Sequence, residues 1–398
     1  MEIYSPILFI EINNSDYIFA VGDGNDQENF KLIYTCAVPI QGIENSQLTN
    51  LDLAFNIIKK NIYKIEQKLN FSFKETVLII NNFNCSFINL TGFKKLNGSQ
   101  ILKENITYIL NSLKSNIDII ENKKTILHIF NSKYCLDKKK IENLPIGLFG
   151  DFYSHELSFC LIKSNDYKNL NKVFNKCNLK IKKILLKSFV EGSHISKANP
   201  NHDTFFQIKI NQNNSQVFYF ENDSLKFEQN FDFGSDLVVR DITKITSLKK
   251  DVVEKIINNT KLNEDILDDE LIEENLLEGK NYRKIKKKLI YEIAAARIQE
   301  LSELMILKNI NFISCNKKVK VIFLKINNKF HYECFKDTYS HFFSNNNNFT
   351  INFLKDITTE EVLNNANNLI HFGWKKEAIP VSQSKKSLIA RFFDGLFS

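Results

Sequence analysis

The 398-residue sequence predicts a two-domain α/β protein in which one unit of strands followed by helices is used twice. Three observations predict it. Each half opens on three short apolar runs separated by turn residues. Each then continues into segments with helical periodicity. Between the halves, "SKANPNHD" (196–203) has boundary composition, and 43% hydrophobic residues supply material for separate cores.

In the first half, "ILFIEIN", "YIFAVGD" and "FKLIYTCAV" are the strand trio. The only GxG, Gly22-Asp23-Gly24, follows the second strand instead of opening a helix, which predicts a hairpin turn and not a phosphate loop. Leu51, Phe55, Ile58, Ile62, Ile65 and Leu69 recur at spacings of four and three, a helix with Asn50 placed to cap it. "ETVLIIN" is a buried strand and "QILKENITYILNSL" a helix; "KTILHIF" and "HELSFCLIK" are strands on either side of a turn, "LPIGLFG". A helix through "DYKNLNKVFNKC" leads to the strand "KIKKILL".

The second trio is "FFQIKIN", "SQVFYFE" and "SLKFEQNF", with turns at "QNN" and "END". Helices are expected to dominate residues 236–309. Eight acids within 264–278 and six bases within 280–288 predict a solvated helix pair. A strand "KVKVIFLKI", a helix near 333–343, a strand "FTINFL" and a helix near 359–367 follow, and "HFGWKKEAIPVSQSKK" has the composition of a linker. Trp374 within it, beside Lys375 and Lys376, suits either a membrane interface or a core or linker contact.

The chain ends "SQSKKSLIARFFDGLFS". At helical spacing Leu388, Ile389, Phe392, Phe393, Leu396 and Phe397 form one stripe, led in by Lys385 and Lys386, with Arg391 on the other side. Such a helix is too short to span a bilayer, which needs about 20 apolar residues. It is expected to lie in an anionic membrane surface, the alternative being a dock on the protein's own body. Partial burial of six large side chains at about 1 kcal/mol each gives about 6 kcal/mol, and each basic residue adds about 1 kcal/mol near anionic lipid. Attachment by one helix is then reversible, and oligomerisation strengthens it.

The formal charge of +7 admits an acidic membrane as partner, but nothing resembles the basic, aromatic-interleaved face of a nucleic-acid binder. The start, "MEIYSPILFIEINN", is not a signal peptide. Seven cysteines without CxxC predict free thiols in a reducing compartment, and the seven histidines have no metal-ligand spacing. Glycine is scarce, 12 residues, against an abundance of asparagine, lysine and isoleucine, the bias of an AT-rich coding sequence.

Two halves that each open on a meander and continue into helices suggest the duplicated actin/Hsp70-like architecture, with ribonuclease-H-like halves and nucleotide held between them. Within it the sequence resembles the FtsA family of actin-like bacterial cell-division proteins. Where that family has a strand and "DIGTSK", this chain has Glu11-Ile12-Asn13-Asn14-Ser15-Asp16. The family stretch "lH…P..y.lD….i..P.G..G" is matched by "ILHIFNSKYCLDKKKIENLPIGLFG" at Leu127, His128, Tyr134, Leu136, Asp137, Ile141, Pro145, Gly147 and Gly150. "DIGGGTT" corresponds to Lys209-Ile210-Asn211-Gln212-Asn213-Asn214-Ser215, and "GG..iT.DI" to the stretch from Gly234 to Ile242. The "R..E" helix is echoed by Arg297 and Glu300.

The resemblance implies subdomain 1A at 1–76 and 166–195, an SHS2-like subdomain 1C at 77–165, and subdomain 2A at 196–235 and 306–370. It implies a helical subdomain 2B at 236–305, a linker at 371–384 and a membrane-targeting helix at 385–398. It implies an adaptor that polymerises on the membrane and captures the C-terminal tail of FtsZ through Arg297 and Glu300, with no catalytic residues. Later division proteins would bind through 1C, and the location would be peripheral, on the cytoplasmic face of the inner membrane at the division site. ATP with Mg²⁺ would contact Asn13, Asn14, Ser15, Lys209, Asn213, Asn214, Ser215 and Gly234. The loops depart from the family there: asparagines replace Gly and Thr, Lys209 replaces the metal-handling aspartate, and the adenine-side glycines appear as "FLKINNKF". Asparagine tolerates left-handed backbone, which would let the turns survive, and Lys209 would be placed to touch a phosphate. Alternatives are an actin-fold adaptor of the PilM type, which lacks the terminal helix, and an actin-fold ATPase, which needs intact glycine loops and a catalytic carboxylate.

Overall fold

The structure is a computed structural model and describes residues 6–24, 30–44, 47–81, 83–277, 284–345, 348–374 and 376–380. The terminal stripe, with all of its expected membrane-binding residues, lies outside these. The described chain forms two compact units: one runs to Asp203 and adds Glu221–Phe227 and the residues from Ile357 on, and the other holds Thr204–Phe220 and Glu228–Asp356.

The first unit opens with β1 (Ile7–Ile12), β2 (Asp16–Asp23) and β3 (Lys31–Pro39), an antiparallel meander as expected. A short ribbon of β4 (Ile43–Glu44) and β5 (Gln47–Leu48) leads into α1 (Leu51–Leu69). Asn50 caps α1 by accepting from the N–H groups of Asp52 and Leu53, and the apolar face buries Ile58, Ile62 and Ile65. β6 (Glu75–Ile80) then pairs parallel with β1.

Next come β7 (Ser86–Lys95), α2 (Lys103–Ile120), β8 (Lys124–Leu136), β9 (Lys139–Ile141) and β10 (Phe152–Lys163). They form a second sheet whose core joins Ile106, Ile109 and Leu113 of α2 to Ile129, Tyr153, Leu157 and Phe159 of the strands. The most specific family stretch is legible here as structure. Leu127, His128, Tyr134 and Leu136 are buried. Asp137 Oδ1 accepts from the N–H groups of Asp151 and Phe152 at 2.9 and 2.8 Å, and Gly147 supplies a φ of +89°. The subdomain start expected at 77 falls inside β6, whose partners are in the first sheet, so the second sheet begins at Ser86.

After α3 (Ser164–Lys176), β11 (Lys180–Leu186) returns to pair parallel with β6, giving the order β11-β6-β1-β2-β3. α4 (Lys187–Ala198) closes this run. It carries a glycine, two β-branched residues and three serines, and the periodicity does not mark it.

The second unit uses the same plan. β12 (Phe205–Ile210), β13 (Ser215–Glu221) and β14 (Ser224–Phe231) are the meander. α5 (Asp236–Thr246), α6 (Lys250–Asn259), α7 (Lys287–Ser302) and α8 (Ile313–Asn316) follow, then β15 (Val321–Ile326), α9 (Lys329–Ser344) and β16 (Thr350–Phe353). The order β14-β13-β12-β15-β16 repeats that of the first sheet, with β12–β15 and β15–β16 parallel.

Three expectations are corrected. The acidic and basic blocks are not a helix pair. Ile272 N–H donates to Ile285 O at 2.9 Å beside an isolated antiparallel bridge between Leu271 and Lys286, and Lys287 pairs with Glu270 at 3.3 Å and Lys288 with Asp268, so opposite charges join the 268–272 segment to the start of α7. α10 (Thr359–His371) belongs with the first unit and not with 306–370, because it packs on α4 and Asn365 Nδ2 donates to Val190 O at 2.5 Å.

Nor is 371–380 a free linker. Trp374 is buried and its indole N–H donates to Asp223 O at 3.0 Å, which places it in a core contact and not at a membrane. β17 (Glu377–Pro380) adds to the edge of β8. Glu377, fully buried, takes His128 Nδ1 at 2.9 Å and Lys183 Nζ at 3.0 Å. Leu186 N–H donates to His128 Nε2 at 3.4 Å. Burial alone raises the Glu377 pKa, but the Lys183 ammonium foremost, with the His128 hydrogen bond, overcomes it and brings it down to about 2.

Candidate functional site

The candidate residues fall into three neighbourhoods, one in the first unit and two in the second. In the first, Asn13, Asn14 and Ser15 turn the chain from β1 to β2, where Asn13 N–H donates to Asp16 O at 2.9 Å. Glu11, at the family's aspartate position, is 3% exposed and takes Lys187 Nζ at 2.6 Å. The same ammonium stands 3.5 Å from Asn13 Oδ1, which also accepts from Asn81 Nδ2 at 3.4 Å. Lys187 and Asn81 follow β11 and β6. Parallel strands bring their C-terminal ends beside the β1–β2 turn, which is how residues remote in sequence meet here.

In the second unit, Lys209 sits within β12 with its ammonium 5.2 Å from the centre of the Phe218 ring. Asn213, Asn214 and Ser215 form the β12–β13 hairpin. That hairpin is closed by Asn211 N–H to Asn214 O at 2.9 Å and Asn211 Nδ2 to Asn214 Oδ1 at 2.5 Å. Asn327 Nδ2 donates to Asn211 Oδ1, and Ser215 Oγ donates to Phe233 O at 2.8 Å. Gly234 lets α5 start against this loop: a Cβ there would lie 2.1 Å from Asn211 O. Ser235 and Asp236 N–H then donate to Asn211 O and Gln212 O, both at 2.9 Å. Asn328, in the glycine-less "FLKINNKF" stretch, uses its side chain to cap α9 through His331 N–H at 3.2 Å.

None of these asparagines substitutes for glycine in backbone terms. Positive φ is found at Asn70, Asn97, Asn178, Asn222 and Asn345 among others, and not at Asn13, Asn14, Asn213 or Asn214. The expectation that left-handed asparagines preserve the phosphate turns is therefore corrected. The residues do not fit a magnesium nucleotide: the loop carbonyls already occupy the helix N–H donors, and the carboxylate of the first loop already holds an ammonium.

The third neighbourhood joins the two family motifs of the second unit. Asp241, in the "GG..iT.DI" match, takes Arg297 Nε at 2.5 Å, and Glu300 accepts from Arg297 Nη1. Asp241 foremost holds the guanidinium charged, raising its pKa. α5 packs on α7 beneath this pair, burying Val238, Ile242, Ala294 and Ile298. Arg297 and Glu300 make the ordinary i,i+3 pair of one helix, and Asp241 adds a contact from α5; it was legible as a motif residue and not as their partner.

All seven cysteines are free thiols. Among the described residues no group of three or more His, Cys, Asp or Glu is placed to hold a metal ion. Among them also, no helix is long and apolar enough to cross a membrane.

No protein-family model matches the chain. Curated proteins do, and those at hand are named Cell division protein FtsA. The one from Buchnera aphidicola subsp. Acyrthosiphon pisum is 22% identical over 250 residues, 63% of this chain and 59% of the relative's length. The one from Neisseria meningitidis serogroup B is 20% identical over 301 residues, 74% of this chain and 71% of that one. The resemblance read from the motifs is thereby borne out. Among solved structures, a chain of the PilM-PilN type IV pilus biogenesis complex matches with a TM-score of 0.51 at 8% identity, covering 92% of this chain and 96% of that one. The fold is the actin-like one, with two sheet-centred domains. MreB5 of Spiroplasma citri, solved bound to AMPPNP, matches with a TM-score of 0.41 at 8% identity over 92% of this chain and 96% of that one.

Proposed function

We propose that the chain is a cell-division adaptor that tethers FtsZ filaments to the cytoplasmic face of the inner membrane at the division site. The observation that carries the proposal is that the curated relatives matched over most of the chain are named as cell-division proteins. The two second-unit motifs that carry the resemblance meet in one bridge, Asp241–Arg297–Glu300. The FtsZ tail would dock on the α5–α7 pair. A guanidinium presented between two carboxylates offers a peptide both an N–H donor fork and acceptor oxygens. The terminal stripe would hold the assembly at anionic lipid, and self-association on the membrane would multiply a weak single-helix attachment. No bond is made or broken in this role; binding is the whole activity.

The test is fluorescence anisotropy with a labelled peptide of the FtsZ C-terminal tail. The wild-type chain is expected to bind saturably, and Arg297→Glu to weaken binding at least about tenfold while circular dichroism stays native. Equal binding by both proteins would remove Arg297 from the docking surface, and no binding by either would remove FtsZ as partner.

A further inference from the structure

The two loops expected to cradle nucleotide are each closed by side chains of this chain. In the first unit the buried Glu11 carboxylate needs a cation, because an isolated charge in an apolar surrounding is strongly disfavoured. Lys187 supplies it at 2.6 Å and, 3.5 Å from Asn13 Oδ1, stands across the β1–β2 turn. A hard divalent ion would need oxygen ligands to remain open around that position, and the ammonium takes the buried Glu11 carboxylate there.

In the second unit an anion cradle would need N–H groups pointing outward from the loop and the helix start. Ser235 and Asp236 instead point theirs at Asn211 and Gln212 carbonyls. The Asp236 carboxylate adds negative charge at the same helix start, held by Lys250 at 2.6 Å and Arg240 at 3.1 Å. The Asn211 and Asn214 side chains bind each other, and Asn327 binds Asn211.

We infer that Lys187 is a resident cation at Glu11, filling the place beside the β1–β2 turn that a divalent ion would need, and that with the self-closed Asn211–Asn214 loop it makes this chain's fold and assembly independent of nucleotide. The two loops are the ones the family resemblance assigns to nucleotide, and the inference is independent of the membrane role.

The test is a titration of the purified full-length chain with fluorescent ATP and ADP, in magnesium and in EDTA, with melting temperature read alongside. A ligand that binds only the folded chain raises that temperature. The expected result is no saturable binding up to about 1 mM and no shift with nucleotide, magnesium or EDTA. Saturable binding below that range with a matching rise in melting temperature overturns the inference. Lys187→Met is expected to melt lower and to gain in melting temperature on adding magnesium, which the wild type does not, while Lys187→Arg keeps the wild-type behaviour. A Lys187→Met protein indifferent to magnesium overturns the cation role; should that variant not fold, the wild-type titration still decides nucleotide independence. Nucleotide binding is read in solution and tail capture on a peptide, so this inference and the adaptor proposal fail separately.

Discussion

Asn70 closes α1 with a φ of 48°, in the left-handed region where glycine is the usual choice. In a chain with only 12 glycines, asparagine and aspartate have taken over such turns, as at Asn97, Asp137, Asn178, Asn222 and Asp223. Asn70→Gly is therefore expected to stay within about 0.5 kcal/mol of wild type and Asn70→Ala to lose about 1 kcal/mol, as urea unfolding would measure. Buried titratable groups set the acid response. Burial lowers the His155 pKa from 6.5 to about 3, so the unfolded chain takes up the proton first. Its stability contribution is complete above pH 6.5 and is lost as pH falls toward 3. Glu377, brought down from 4.5 to about 2, contributes fully above pH 4.5 and loses its share between 4.5 and 2. The urea midpoint should accordingly hold level from pH 6.5 to about 8 and decline below 6.5, and Glu377→Gln should start lower and lack its share of the decline below 4.5. Asn50 as a cap and His128 as a family residue were legible in the sequence. The partners Lys187 and Glu377 were not, because 176 residues separate Glu11 from Lys187 and 249 separate His128 from Glu377, and only the folded sheets bring them together.

At the scale of elements, β17 is the segment the composition disguised. Pro380 and the Ser/Gln content beyond it have the character of a tether, while Trp374 and Glu377 pin the chain to the first unit. Leaving a buried charge such as Lys183 without its partner costs about 3–5 kcal/mol. A chain ending at Gln383 is expected to melt like the full chain, and one ending at Gly373 several degrees lower; differential scanning calorimetry separates the two. Equal melting of all three would mean that β17 contributes nothing to the fold. The charge blocks at 264–278 and 280–288 misled in a different way: like-charge runs predict solvation, but Lys287 and Lys288 face Glu270 and Asp268 across a backbone bridge. Between helices, the Arg297–Asp241 bridge is about a quarter exposed on both sides, so Arg297→Ala should lower stability by no more than about 1 kcal/mol. A loss of tail binding in Arg297 variants would then report the docking surface and not unfolding.

For the whole molecule, the repeated trio in the sequence predicted the duplicated plan, and the two sheets that contain the trios carry the same strand order. The return of α10 and β17 to the first unit was not legible, since no local pattern records which unit a late helix packs against. In the proposed role this actin-like chain joins FtsZ to lipid. Flotation of anionic vesicles tests it most directly, comparing the full chain with one ending at Gln383, each with and without FtsZ. The full chain is expected to float and carry FtsZ with it while the truncated chain leaves both at the bottom. Floating of the full chain without FtsZ, or the same result for both chains, would contradict it.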